Sequence, residues 1–402
     1  MRFQIIDGFR GFFLFNMMVV HFNNYLNGRL PKLNHHFFGF VEDAQGFVFL
    51  SGLVVGLVYG RVLLKTTADQ MGRAVRKRMG VIFRHHAFIC VMITAIAVGF
   101  HAYGREAPIL APFGETPFFF GVLSLFLLDG AFTISILPMY FLFMVMTPMA
   151  LRAMARGHYA GVIAASIAVW VFAQTGLLPM VLRAAARGVG LGGPDYVHQI
   201  SFNPFAWQIL YFGGLVPGML LAQGRLDMAR FRDERWRPVF AVALAAMGGF
   251  ALLSMLYKIN ALSWIVATPS LEVGLLRPQF GVLRLASFGT DLVVVVWLLV
   301  AGVASASLLW RSLGGGLWRL FTWRPLVFLG QHSLHVYTFH IVVLYLFFCF
   351  VDYRGLPRVA KELLPFAAGL SLYLPAWWHA RQIRRQKAAG GESRLEATRG
   401  PA

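Results

Sequence analysis

The sequence predicts an all-α membrane protein, a polytopic bundle of about ten transmembrane helices. Three observations support this fold class: 58% of the 402 residues are hydrophobic, only 13% are charged, and the mean hydropathy is +0.65. Soluble domains carry roughly a quarter charged residues, so an ordinary soluble enzyme is excluded. Disordered chains need low hydrophobicity, so disorder is excluded as well.

The apolar residues form ten continuous runs, each close to the ~20 residues that cross a bilayer as a helix. Continuous runs differ from the alternating segments of about ten residues that mark a β-barrel. The runs are, in chain order, Phe12–Asn27, Phe47–Leu64, Met79–Tyr103, Phe132–Ala153, Tyr159–Leu178, Pro204–Gln223, Val239–Tyr257, Phe288–Trp310, Phe328–Val351 and Leu363–His379. We expect a single transmembrane domain over residues 1–380 and a disordered basic tail over residues 381–402.

The first two runs carry local signals of their own. The first run follows Asp7 and Arg10 and is longer than the ~7–15 apolar residues of a signal peptide, so we expect it to remain as helix 1. The second run contains Gly52, Gly56 and Gly60 at intervals of four, a smooth ridge that lets another helix approach closely.

The net charge of +19 could indicate nucleic-acid binding, but its distribution indicates membrane orientation instead. With an N-terminus in the cytoplasm and ten crossings, 25 of the 36 basic residues fall on the cytoplasmic side. Lys and Arg accumulate in cytoplasmic loops, so we expect both termini in the cytoplasm and no nucleic-acid partner.

Ionisable residues of helix 1 are the strongest candidates for chemistry, because such residues are costly in a membrane. Asp7 and Arg10 are three residues apart and share a helix face. Arg10 and His21 are eleven apart, which places them on one stripe about 16 Å apart along the helix axis. Arg10, at the cytoplasmic end of this stripe, can bind an anionic molecule, and His21 can act as a base deeper in the membrane. The alternative is an anchoring Arg and a packing His.

Polar residues in three other runs extend this set. The third run carries cations and a histidine that could bind phosphates or simply anchor the helix: Arg76, Lys77, Arg78, Arg84 and His86. In the ninth run, Ser333, Tyr337 and His340 share one face, as either a nucleophile relay or a mutually bonded network. Asp43, just before the second run, could face a polar cavity or water.

Common cofactor and metal motifs are missing from the sequence. It has no Walker loop, no GxGxxG after a strand, no GxSxG, no HExxH and no Cys/His set at ligand spacing. Cys90 and Cys349 both lie in apolar runs and are expected to be packing residues. We therefore expect no bound metal and no bound cofactor.

Several stretches together resemble a known family. An Arg followed ten residues later by a His in the first helix resembles the membrane acyltransferase-3 superfamily, and within it the chain is most similar to the OpgC family, which succinylates osmoregulated periplasmic glucans. The supporting stretches, in the family's order, are 47–52, 136–140, 202–208 and 329–333 with His340. The chain departs from the family pattern at Ser135, which is often acidic, and at Gln331, which tends to be Arg.

The resemblance implies an inner-membrane acyltransferase that uses acyl-CoA, succinyl-CoA in this family, as co-substrate and a periplasmic glucan as acceptor. His21 would be a general base or carry the acyl group, Asp7 would orient Arg10, and Arg10 with the third-run cations would bind the phosphates of CoA. The remaining positions are assigned to the acceptor or its cavity: Asp43, Tyr140, Trp207, Gln208, Ser333, Tyr337 and His340.

Two other functions stay open at the level of sequence. A proton-coupled transporter would also use buried His and Arg, although the two halves of the chain show no convincing repeat. A purely structural membrane protein would explain the bundle but not the polar stripe of Asp7, Arg10 and His21.

Overall fold

The structure is a computed structural model that describes residues 4–126, 134–177, 180, 202–259 and 279–398. Within these residues every regular element is helical and there is no strand, which confirms the predicted fold class. The α-helices are α1 (Gln4–Leu26), α2 (Asp43–Lys65), α3 (Ala68–Ala102), α4 (Pro117–Leu125), α5 (Ile136–Ala155), α6 (Tyr159–Gln174), α7 (Pro204–Ala222), α8 (Arg237–Lys258), α9 (Val282–Val300), α10 (Leu308–Phe321), α11 (Arg324–Gln331), α12 (Ser333–Phe350), α13 (Arg358–Ser371) and α14 (Tyr373–Thr398).

Eight helices in the described ranges are long and apolar enough to span a membrane. They are α1, α2, α3, α5, α7, α8, α9 and α12, and they correspond to eight of the ten predicted runs. The fifth run forms α6, an apolar helix of 16 residues. Phe132 and Leu178, at the edges of the fourth and fifth runs, lie outside the described residues. The chain is a multi-pass membrane protein.

The tenth predicted run, Leu363–His379, is not one continuous helix. Helix α13 ends at Ser371 and α14 begins at Tyr373. Pro375 accounts for this break, because a proline ring clashes with the carbonyl four residues earlier, here that of Ser371. Helix α14 is described as far as Thr398. The division into one domain and a tail stays a prediction.

The ninth predicted run is divided as well. Helix α11 ends at Gln331 and α12 begins at Ser333, with His332 between them in a turn conformation. Gly330, in the last turn of α11, packs directly on α1, since a Cβ on it would lie 1.8 Å from the carbonyl oxygen of Asp7. The break at His332 separates this packing helix from α12, which carries the polar stripe.

Close contact between α2 and α7 and the central position of α1 organise the bundle around the site. A Cβ on Gly52 would lie 2.0 Å from the Tyr211 carbonyl oxygen, and one on Gly56 would lie 2.3 Å from that of Leu215, so α2 and α7 touch backbone to backbone. The predicted glycine ridge is confirmed. Helix α1 contacts α2, α10, α11, α12 and α13, and it therefore lies inside the bundle.

Candidate active site

Arg10 of α1 faces the start of α12. Its Nη2 donates a hydrogen bond of 2.6 Å to Oγ of Ser333, and its guanidinium lies 5.6 Å from the ring centre of Phe47 on α2. The hydroxyl and the ring fix the direction of the cation, so Arg10 is positioned by side chains of two other helices rather than extended into solvent.

His21 is paired with a second histidine. Its Nδ1 lies 3.0 Å from Nε2 of His340 on α12, and the two rings stack at a centroid distance of 4.9 Å. His21 is 9% exposed and His340 is fully buried. One of the two nitrogens carries the shared proton, so the position of each imidazole depends on the other.

The polar stripe of α12 therefore runs along the polar stripe of α1. Ser333 contacts Arg10, His340 contacts His21, and the ring of Tyr337 lies 6.0 Å from that of His340. Both contacts advance in the same chain direction, so α1 and α12 are parallel here. The structure therefore brings two predicted residues of α1 together with three predicted residues of α12 that lie more than 300 positions later in the sequence.

Two cavities open along this pair of helices. The arginine cavity holds about 30 Å³ and is lined by Arg10, Phe47, Val48, Ser51, Arg78, Ile136, Leu137, Tyr140, Phe143, Ser333, Leu334 and Tyr337. The histidine cavity holds about 160 Å³ and is lined by Met17, Val20, His21, Asn24, His36, Glu42, Asp43, Ala44, Ile136 and Phe202. Ile136, the first residue of α5, lines both cavities.

The predicted phosphate-binding residues of α3 separate into four places. Arg78 lines the arginine cavity beside Arg10, whereas Arg76 and Lys77 are exposed on the same helix. Arg84 lines a different cavity of about 710 Å³. His86 is buried, and its Nε2 lies 2.9 Å from the carbonyl oxygen of Ser124, which is the environment of a packing histidine.

The predicted acceptor residues also separate. Tyr140 lines the arginine cavity, while Trp207 is fully buried, with its ring 4.6 Å from that of Phe202, and lines neither cavity. Gln208 exchanges two hydrogen bonds of 2.7 Å with Ser166 and lies on neither cavity.

The two predicted carboxylates lie at different levels of the bundle. Asp7 is buried where α1 crosses α11, directly against Gly330, and its pairing with Arg10 stays a prediction. Asp43 is 1% exposed and lines the histidine cavity, where its Oδ2 accepts a hydrogen bond of 2.8 Å from Asn16. The sequence leaves open whether Asp43 faces a polar cavity or water, and in the structure it lines a polar cavity.

Two histidines of the site lie in the connection between α1 and α2 and are not predicted from the sequence. His35 and His36 form a 3₁₀ turn, and Nε2 of His36 lies 2.8 Å from Oδ2 of Asp43. Burial lowers the pKa of His35 to about 4, so this side chain is neutral at pH 7. A pair of adjacent histidines ahead of a helix start was the available signal, but the carboxylate that they meet is visible only in three dimensions.

Comparison with known proteins supports one family. The OpgC protein family matches residues 2–384, nearly the whole chain. Comparisons with curated proteins and with solved structures gave no match. The match includes both polar stripes, both cavities and the connection with His35 and His36. The chain belongs to the OpgC family.

Proposed function

We propose that the chain is an inner-membrane O-acyltransferase of the acyltransferase-3 type, which transfers a succinyl group from succinyl-CoA to a hydroxyl of a periplasmic glucan. Membership of the OpgC family implies acyl transfer, and it does not favour the proton-coupled transporter. The observation that carries the proposal is the parallel pair of contacts, Arg10 with Ser333 and His21 with His340, each beside its own cavity.

The cationic side chains of the arginine cavity suit the anionic part of the acyl donor. Arg10 and Arg78 both line it, and guanidinium groups bind phosphate or carboxylate oxygens through paired hydrogen bonds. Arg76 and Lys77 are exposed on the same helix and would meet the more distant phosphates of CoA. In the predicted orientation, with both termini cytoplasmic, this end of α1 faces the cytoplasm, where acyl-CoA is found.

The histidine cavity suits the acceptor. It is lined by His21, His36, Asn24, Glu42 and Asp43, all of which can form hydrogen bonds with sugar hydroxyls. In the predicted orientation this cavity lies toward the periplasm. The partners required are the lipid bilayer, acyl-CoA and the glucan, and no role for nucleic acid follows from either cavity.

His21 has the chemistry for the transfer step. When Nδ1–H of His21 donates a hydrogen bond to Nε2 of His340, Nε2 of His21 carries the free lone pair and is the basic atom of the ring. It would take the proton of the acceptor hydroxyl while the hydroxyl oxygen attacks the thioester carbon; the carbon–sulfur bond then breaks and the CoA thiolate leaves, protonated in the end by His21. Alternatively, His21 itself would attack the thioester carbon and expel the CoA thiolate. The sugar hydroxyl would then attack the acyl-histidine, break its carbon–nitrogen bond and pass its proton to the released imidazole.

The test is the mass of the periplasmic glucans. Cells that express the chain should show glucans heavier by one or more succinyl units than cells without it, and cells with His21→Ala should lose the modification by at least ~100-fold, because general-base catalysis supplies about that factor. Exposed His101→Gln, at the end of α3, is the control and should modify normally. Normal succinylation by the His21→Ala protein, at equal membrane expression, would contradict the assignment.

A further inference from the structure

The connection between α1 and α2 brings three potential metal ligands together. His35 and His36 come from the 3₁₀ turn and Asp43 is the first residue of α2, and one ligand atom from each lies within 4.8 Å of the others. Nε2 of His36 is 2.8 Å from Oδ2 of Asp43, and Nε2 of His35 is 3.6 Å from its Oδ1. Two imidazoles and one carboxylate form a common ligand set for a divalent transition metal.

Three buried atoms of this cluster have no hydrogen-bond partner in the described part of the chain. They are Oδ1 of Asp43 and both ring nitrogens of His35. Asp43 is 1% exposed, so bulk solvent does not cover its carboxylate, whose open side faces the histidine cavity. Burying polar atoms without partners costs free energy, so these three atoms are available to bind an ordered water molecule or an ion.

The contact between His36 and Asp43 requires a positive charge, either a proton or a metal ion, between its two atoms. The backbone N–H of Asp43 lies 3.1 Å from Nε2 of His36, and the single lone pair of this nitrogen would turn from the N–H to the ion when an ion binds. The same nitrogen lies 2.8 Å from the carboxylate oxygen, another acceptor. Two lone pairs at this distance repel unless a proton or a metal ion lies between them, and a second atom pair, His35 with Asp43, points into the same space.

Neighbouring helices hold the cluster in place. Asn16 of α1 donates to Oδ2 of Asp43 at 2.8 Å, as outer partners of metal-bound carboxylates do. Ser254 donates to the carbonyl oxygen of Gly39 at 2.9 Å, and Lys258 donates to that of His36. The connection is therefore held by α8, and the carboxylate of Asp43 by α1, before any ion binds.

We propose that His35, His36 and Asp43 bind a divalent transition-metal ion, zinc by its ligand preference, at the wall of the histidine cavity. Three protein ligands leave one coordination position for water or substrate, the arrangement of catalytic rather than structural zinc. His36, Asp43 and His21 line the same cavity. On the proposed function, the ion would take the acceptor hydroxyl as its fourth ligand and make it more acidic, and its proton would pass to His21.

The test measures metal content directly. The full-length chain, carrying an affinity tag without histidine, is purified in detergent, incubated with excess zinc, freed of unbound metal and analysed by mass spectrometry for all first-row metals. We expect about one zinc ion per wild-type chain, as three ligands of one site require. His36→Gln and Asp43→Asn should each lose it, while exposed His101→Gln should retain it.

Wild-type protein without zinc overturns the proposal, as does an Asp43→Asn protein that retains as much zinc as wild type. The wild-type result decides by itself if a variant fails to fold, which size-exclusion chromatography would show. His21→Ala separates this inference from the proposed function, because it should keep the zinc and lose acyl transfer. Zinc-free wild-type protein that still succinylates glucans would overturn only the metal site.

Discussion

At the scale of single residues, the site depends on pairs that span the sequence. His21 is not an isolated base, because His340 shares a proton with it and is itself fully buried. Arg10 likewise is held by Ser333. Of the two readings that the sequence leaves open for the α12 stripe, relay or network, the contacts favour a network that positions the two α1 residues.

His340 is accordingly a positioning residue, and its substitution tests this. His340→Phe keeps an aromatic ring but cannot accept a hydrogen bond from His21. We expect it to lower kcat by about 10²-fold, within the range of general-base effects, with little change in KM. His340→Gln retains a polar atom near the position of Nε2 and should recover part of the loss. The measurement is glucan succinylation by purified protein over a range of acyl-CoA concentrations and pH.

A purely structural His340 would give a different result. His340→Phe would then change the thermal stability in detergent and leave the kcat of the folded fraction and its pH profile unchanged. The exposed His158→Gln serves as control for substitution of a histidine elsewhere in the chain.

The residue scale also shows where sequence reasoning ends. His21 and His340 are predictable because each interrupts an apolar run in which a polar side chain is costly, and Arg10 because it lies on the same helix stripe as His21. His35 and His36 are not, because they lie between runs, where polar residues are ordinary. Trp207 illustrates the reverse: aromatic residues near a run's start suggest a sugar platform, but its ring is buried against Phe202.

At the scale of helices, close backbone contact between α2 and α7 brings the second helix to the site. Phe47, Val48, Ser51 and Asp43 all reach the cavities from α2. Gly214 of α7 is part of this contact, since a Cβ there would lie 2.0 Å from the carbonyl oxygen of Phe49. The adjacent Gly213 has open space at the same position.

These neighbouring glycines give a matched pair of substitutions. Gly214→Ala should destabilise the bundle by about 1–3 kcal/mol or more, because backbone atoms on α2 cannot move aside as a flexible side chain can. Gly213→Ala should be neutral or stabilising, because alanine favours a helix by up to ~1 kcal/mol over glycine. The readout is the Tm of each protein in the same detergent. Equal Tm values for the two variants would contradict the described contact.

Helix boundaries show how much of the fold the sequence determines. Hydropathy predicts the existence of eight spans, because lipid exposure demands apolar residues along their whole length. It does not predict the breaks at His332 and Leu372, since both occur inside apolar runs. Pro375 signalled the second break, whereas the first depends on how α11 packs against α1 through Gly330.

At the scale of the whole molecule, the C-terminal part of the chain contacts the connection between α1 and α2. Both carboxylate oxygens of Glu362 on α13 accept backbone hydrogen bonds, from Arg29 at 2.9 Å and from Leu30 at 2.8 Å. The bond from the Arg29 amide is the main cause that lowers the pKa of Glu362 below its ordinary value of 4.5, followed by that from Leu30. This contact restrains the start of the connection that carries His35 and His36.

The sign of this pKa shift gives a pH prediction. Because the pKa of Glu362 is lowered in the folded chain, the contact stabilises the fold fully at pH values above the ordinary pKa of 4.5. This stabilisation is lost as the pH falls through the lowered pKa of the folded state. We expect amide protection at Arg29 and Leu30, measured by hydrogen exchange against the rate of an unstructured peptide at each pH, to be constant from neutral pH to about pH 5 and to fall below it.

Glu362→Gln should show weaker protection at both amides at neutral pH and no such fall, because glutamine does not titrate and its amide has only one acceptor oxygen. Exposed Glu115→Gln, in a different connection, should behave as wild type. Protection in the wild-type chain that increases with acidification would contradict the assigned direction.

The position of Ile136 between two cavities has an electrical consequence for the proposed reaction. In the proposed orientation, the arginine cavity opens to the cytoplasm and the histidine cavity to the periplasm. Water in each cavity is then at the electrical potential of its own side. Most of the membrane voltage therefore falls across the short stretch around Ile136, which lines both cavities. A succinyl group carries a free carboxylate, so its transfer outward moves one negative charge toward the positive side of the membrane. At 100 mV, inside negative, this favours transfer by about 2.3 kcal/mol, which would make the energised membrane a driving force for the modification.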